Sequence, residues 1–99
     1  MKILTDFKAS LNQGQPDSSL SVQLKSLWYD VIGDWQKAHA QVDHLDDKES
    51  AWVHAYLQRK EGDMGNADYW YCRAGKVRPA ISLEQEWETL VEYFLDKLI

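Results

Sequence analysis

A chain of 99 residues has the usual size of one domain and can bury one hydrophobic core rather than two. Five tryptophans are many for this length, and a formal net charge of −5 works against nucleic acid and against an anionic membrane surface, which are bound through excess Lys and Arg. The opening MKILTDFKAS breaks its apolar run at Asp6 and Lys8, so no export signal is expected; no stretch is apolar enough to span a bilayer, and the lone Cys72 has no internal partner, which together predict a cytoplasmic protein.

Leu4, Phe7 and Leu11 stand at helical spacing and predict a short first helix, ended by the polar, Gly- and Pro-containing stretch from Asn12 to Ser19. Asp17, Ser18 and Ser19 are candidate N-caps for a second helix, with Leu20, Leu24, Leu27, Trp28 and Val31 as its buried stripe and Gly33 as its stop. Asp34 caps the next helix, on the stripe Trp35, Ala38, His39, Val42 and Leu45. Asp46, with Glu49 three residues on, has the spacing of a capping box. It opens a helix that buries Trp52, Ala55, Tyr56 and the stem of Arg59 and that Gly62 ends. Asp63 caps a helix with Ala67, Trp70, Tyr71 and Ala74 inward, and Gly75 and Pro79 mark its exit. Ser82 and Gln85 form a second capping box before Leu83, Trp87, Leu90, Val91, Phe94 and Leu98, a continuous apolar face. No segment alternates like a strand, so the fold class is all-α: two helical hairpins, at about 20–45 and 47–75, preceded by the short helix and closed by a capping helix at about 83–98.

The hairpins look like copies of each other. Gly33, Asp34 and Ala38 recur as Gly62, Asp63 and Ala67, 29 positions later, while the first-helix stripes pair best at 28, matching Leu24 with Trp52, Leu27 with Ala55 and Trp28 with Tyr56. In its second half the pattern resembles the tetratricopeptide repeat, which reads Ala, aromatic, Ala and Pro at the spacing of Ala67, Tyr71, Ala74 and Pro79 after a Gly62-Asp63 turn. The first hairpin keeps Gly33, Asp34, Trp35 and Ala38 but has Val42 and Leu45 in place of the aromatic and small residues, and His54 and Gln58 stand where the family has apolar side chains. The resemblance covers Leu20 to Pro79 and implies antiparallel helix pairs stacked into a short superhelix with a concave face, whose ends need a cap. Burial of Trp52, Trp70 and Trp87, at about 2–3 kcal/mol each, would supply the main joints.

The stretch WVHAYLQRKEGDMGNADYWYCRAG is also similar to a motif of small uncharacterised bacterial and fungal proteins, matching it at Trp52, His54, Arg59, Glu61, Gly62, Asp63, Asn66, Ala67, Tyr69, Trp70 and Arg73. It departs at Gln58, where a second His is usual, and at Cys72, where a basic residue is. This likeness implies a site location but no reaction.

His54, Gln58 and Glu61 are spaced four then three apart and fall on one helix face; Asn66, Tyr69 and Arg73 do the same on the next helix. Folded together, the two faces and the adjoining Arg59 would make a candidate binding site. The plainer reading is a solvated polar surface, with Glu61 and Arg73 as a surface ion pair and Asn66 supplementing the turn. No metal or other cofactor is expected: position 58 is Gln, and His39 and His44 with Asp43, Asp46 and Asp47 have no recognised ligand spacing. There is no Gly-flanked serine elbow and no Gly-rich phosphate loop. The expected role is non-catalytic binding of a protein, peptide or second copy of the chain; the alternative is a small-molecule site or enzyme built on His54, Glu61 and Arg73.

Overall fold

Residues 4–97 are described by the computed structural model, and each helix beyond residue 20 begins where the sequence offers a capping oxygen. They are α1 (Leu4–Ala9), extended by a 3-10 turn (Ser10–Asn12), α2 (Val22–Val31), α3 (Trp35–Val42), α4 (Lys48–Glu61), α5 (Met64–Arg73) and α6 (Leu83–Asp96). No strand occurs among the described residues, so the chain is all-α as expected; Leu98, assigned to the last apolar face, lies outside them. No helix among the described residues is long and apolar enough to cross a membrane.

Each N-terminus exposes backbone N–H groups that a short polar side chain can satisfy. Asp34 accepts from the N–H of Lys37 and Asp63 from that of Asn66, at equivalent places in the two Gly-Asp turns. Ser82 and Gln85 make both bonds of a capping box at the start of α6. Two caps differ from the sequence reading by a short slip. Ser21, not the Asp17–Ser19 group, caps α2, because Asp17 instead accepts from the backbone and hydroxyl of Ser19 and shapes the preceding turn. Asp47, not Asp46, caps α4 by accepting from Ser50. At the far ends Gly33 and Gly62 adopt φ of 93° and 91°, the left-handed region that side chains resist. Their turns let Asp34 N–H reach the Tyr29 carbonyl and Asp63 N–H reach the Gln58 carbonyl, which satisfies orphan acceptors of the last turn.

Packing then centres on α4. It contacts α2, α3, α5 and α6, so residues on every side of it are buried, from Ser50 and Ala51 through Val53 to Gln58. The core runs from Phe7 through Leu24, Leu27, Trp28, Val42, Val53 and Leu57 to Trp87, Leu90, Val91, Phe94 and Leu95. A smaller cluster of Ala55, Ala67 and Tyr71 joins α4 to α5. On α2 the inward stripe carries Asp30, at 2% exposure, while Val31 is 43% exposed, which reverses the expected placing of Val31. The radius of gyration, 12.5 Å, matches the roughly 13 Å of a compact chain this long.

Tryptophans fasten these layers twice over, by buried area and by their indole N–H. Trp28 donates to Ser10 Oγ, Trp35 to the Leu57 carbonyl and Trp87 to the Leu27 carbonyl, so each ties its own helix to a different element. Of the three expected joints, Trp87 is buried, whereas Trp52 and Trp70 are only partly covered. Trp52 lies against Tyr93 and Phe94, with the Lys76 ammonium 4.3 Å from its ring centre.

Candidate functional site

Because α4 has neighbours all round, several of its polar residues, Ser50, His54 and Gln58, meet other helices rather than water. His54 is 5% exposed and Gln58 7%, so neither belongs to the solvent-facing surface anticipated from their spacing. They turn toward α3, where His39 sits one helical turn after Trp35. The Nε2 atoms of His39 and His54 are 3.0 Å apart, and the amide nitrogen of Gln58 lies 3.4 Å from each. Three side chains from two helices thus converge on one point.

Aromatic rings bracket that point. Trp35 stacks on His39 with centroids 4.7 Å apart and planes within 12°, and Trp70 stacks on His54 at 4.1 Å and 21°. The two imidazoles meet nearly edge to face, at 80°. Beyond Trp70 the guanidinium of Arg73 lies 5.3 Å from the indole centre, and Tyr69 meets the same ring edge-on. A continuous ladder therefore runs Trp35, His39, His54, Trp70, Arg73, across α3, α4 and α5. His54 within it is buried, His39 is partly covered, and its α5 end is open, with Tyr69 53% exposed.

Protonation follows from this packing. Burial disfavours the imidazolium of His54 first, the nearby His39 adds repulsion, and Asp43 opposes both weakly; the pKa falls from 6.5 to about 4. His54 is accordingly neutral at pH 7. Asp43 Oδ2 stands 3.5 Å from His39 Nδ1, which favours the tautomer with hydrogen on Nδ1 and leaves the Nε2 lone pair facing His54. His54 Nε2–H then donates to it, and His54 Nδ1 is buried with no hydrogen-bond partner.

The other expected site residues separate into three places. Arg59 turns inward: it donates to Glu86 Oε1 at 2.8 Å and to the Ile81 carbonyl. Glu86, 1% exposed, also receives the Tyr71 hydroxyl at 2.6 Å, and burial, with this carboxylate second, raises the Tyr71 phenol well above its ordinary value. Glu61 and Asn66 are exposed, and Glu61 enters no ion pair among the described residues, so the Glu61–Arg73 pair does not form. Arg73 bonds the Tyr69 hydroxyl at 3.2 Å instead. The expected single polar face is therefore divided: His54 and Gln58 join partly covered His39 in an inner cluster, Arg59 ties to buried Glu86 and Tyr71, Tyr69 and Arg73 flank half-buried Trp70 on an outer edge, and Glu61 and Asn66 face solvent.

Sequence reasoning placed His39 on the inward stripe of α3 but did not pair it with His54. The available signal was Trp35 and His39 four apart on one helix and His54 and Gln58 four apart on another, each pair on a single face. Glu86 and Asp30 were missed as well, although each continues an apolar stripe, Glu86 four before Leu90 and Asp30 three after Leu27. Asp30 accepts from Tyr56 at 2.8 Å and pairs with Lys60 at 2.9 Å, a second buried carboxylate held by a phenol and a cation of α4. Two cations and two phenols, Arg59 with Tyr71 and Lys60 with Tyr56, are thus held on the buried carboxylates of Glu86 and Asp30, while the imidazoles take no part in either group. No family model, no curated protein and no solved structure matches this chain.

Proposed function

We propose that the chain is a small helical-repeat module in which α2 with α3, and α4 with α5, are antiparallel tetratricopeptide-like hairpins closed by α6, and that it binds a protein or peptide partner without catalysis. The equivalent Gly33-Asp34 and Gly62-Asp63 corners support the repeat, with Ala38 and Ala67 fully buried at matching places after them. The observation that carries the binding role is the open end of the aromatic ladder. Tyr69, Trp70 and Arg73 stand together on α5, with Met64 also exposed on the same helix, and aromatic side chains with Arg are the residues that dominate interface energetics. Lys76 is engaged over Trp52 and Arg78 pairs with Asp68 at 3.2 Å, so the cation this edge offers beside its rings is Arg73, which suits a carboxylate or aromatic side chain of a partner. An enzyme centred on His54 needs Glu61 or Arg73 as its proton or charge partner, and His54 instead bonds His39 and Gln58.

The test compares the native chain with a Tyr69→Ala/Arg73→Ala double variant. Both side chains are exposed, so helicity and melting temperature should agree within a few degrees. Quantitative capture from native extract should enrich at least one protein with the native chain and lose it with the variant, a drop in affinity of about thirtyfold or more for truncation of an interface anchor worth on the order of 2 kcal/mol. Light scattering over a concentration series identifies a second copy as that partner. Equal capture by both proteins, with both monomeric at every concentration, overturns the reading.

A further inference from the structure

From the convergence of His39, His54 and Gln58 we propose a binding site for one divalent first-row transition metal ion, with zinc as the reference ion. This inference is independent of the role given to the α5 edge. No three His, Cys, Asp or Glu residues gather into a metal cluster among the described residues. The third donor here is an amide. The sides of the triangle are 3.0, 3.4 and 3.4 Å, so a point equidistant from its corners lies about 2 Å from each, close to the length of a zinc–imidazole bond. The Gln58 amide presents its nitrogen to the imidazoles; a half-turn about its last bond presents Oε1, the end that ligates metals, in the same place. Two imidazoles and an amide oxygen form a borderline donor set that suits zinc, nickel or copper better than calcium or magnesium.

The surroundings fit that use. Asp43 beside His39 Nδ1 is the carboxylate that orients a metal-bound imidazole in many sites, and it holds the Nε2 lone pair toward the centre. His54 Nδ1 has no partner, so its proton can move from Nε2 to Nδ1 at the cost of only the bond between the two imidazoles. Metal binding then exchanges that hydrogen bond and the two long Gln58 amide contacts for three dative bonds, two from imidazole nitrogens and one from the amide oxygen. Trp35 and Trp70 fix both ring planes. The His39 side chain is 25% exposed, so the α3 side is where an ion would enter, and water would complete the coordination.

The experiment uses untagged full-length protein stripped with a chelator and then titrated calorimetrically with zinc chloride, with cobalt(II) as a spectroscopic probe. The proposal expects one equivalent bound, a rise in melting temperature, and intense visible cobalt bands of a tetrahedral site. His39→Ala should weaken binding at least about tenfold and abolish those bands, and Gln58→His, which adds a third imidazole, should tighten it at least about tenfold. His44→Ala, which removes the exposed imidazole beside Asp43, should change neither. If His39→Ala does not fold, Gln58→Leu replaces it, with the same expected loss. Absence of binding by the native chain, or binding that survives His39→Ala and Gln58→Leu, overturns the site.

Discussion

His54 shows how one residue acquires its character from its neighbours. A histidine with solvent on one side is a half-charged surface group near pH 6.5; stacked on Trp70 and edged by His39, the same side chain is 5% exposed and refuses a proton until about pH 4. The unfolded chain takes up that proton near pH 6.5, so between these values the unfolded state binds more protons than the folded state, and stability falls as the pH drops. The difference amounts to at most about 3 kcal/mol, fully expressed below pH 4 and absent above pH 6.5. Urea unfolding in chelator-containing buffer at pH 7 and pH 4.5 measures most of it. His54→Leu, similar in volume and without a titrating group, should show a clearly smaller acid loss than the native chain, whatever the carboxylates contribute to both. Equal losses would place the acid sensitivity elsewhere.

At the scale of the helix, the sequence was most legible where chemistry is local. A capping oxygen, the N–H it accepts and the glycine that ends a helix lie within a few residues of one another, so Asp34, Asp63, Ser82, Gly33 and Gly62 could be assigned from spacing alone. The outer side of α4 could not. His54, Gln58 and Glu61 share a face by period, yet the first two are buried and the third is exposed, because α3 covers one end of that face and stops short of the other. That outcome depends on where a separate helix docks, which no window of sequence contains. Local backbone effects, by contrast, can be forecast site by site. Nothing lies within 4 Å of a Cβ built on Gly62 or on Gly65, so alanine at either acts through backbone conformation only. Gly62→Ala forces φ near 91° on a side-chain-bearing residue and should cost about 1–2 kcal/mol. Gly65→Ala, in the first turn of α5 without a positive φ, should add about 0.4–1 kcal/mol. Thermal melts of the two variants should therefore move in opposite directions; shifts of the same sign would contradict the left-handed turn.

Across the whole molecule, α6 is joined to the rest by an apolar seam and by one buried charge. Phe7, Trp28 and Leu27 meet Trp87 and its neighbours along the seam, and such contacts tolerate sliding. Glu86 does not: it takes hydrogen bonds from Arg59 of α4 and Tyr71 of α5 at once, which fixes the register of three helices at a single carboxylate. A buried ion pair contributes little net stability compared with apolar side chains of the same shape, since desolvating two charges offsets most of their attraction, but removing one partner strands the other. Glu86→Ala leaves the Arg59 guanidinium, 13% exposed, with only the Ile81 carbonyl, and leaves the Tyr71 hydroxyl bare, and should therefore lower stability by about 3–5 kcal/mol. Replacing all three together, as Arg59→Met, Tyr71→Phe and Glu86→Leu, removes every stranded group and should restore most of that loss in the denaturant midpoint. Tryptophan fluorescence should nevertheless report looser packing in the triple variant, because the Trp87 indole bond to the Leu27 carbonyl still ties α6 to α2 but the carboxylate that tied it to α4 and α5 at once is gone. A triple variant as unstable as Glu86→Ala would show that the ion pair contributes net stability rather than position.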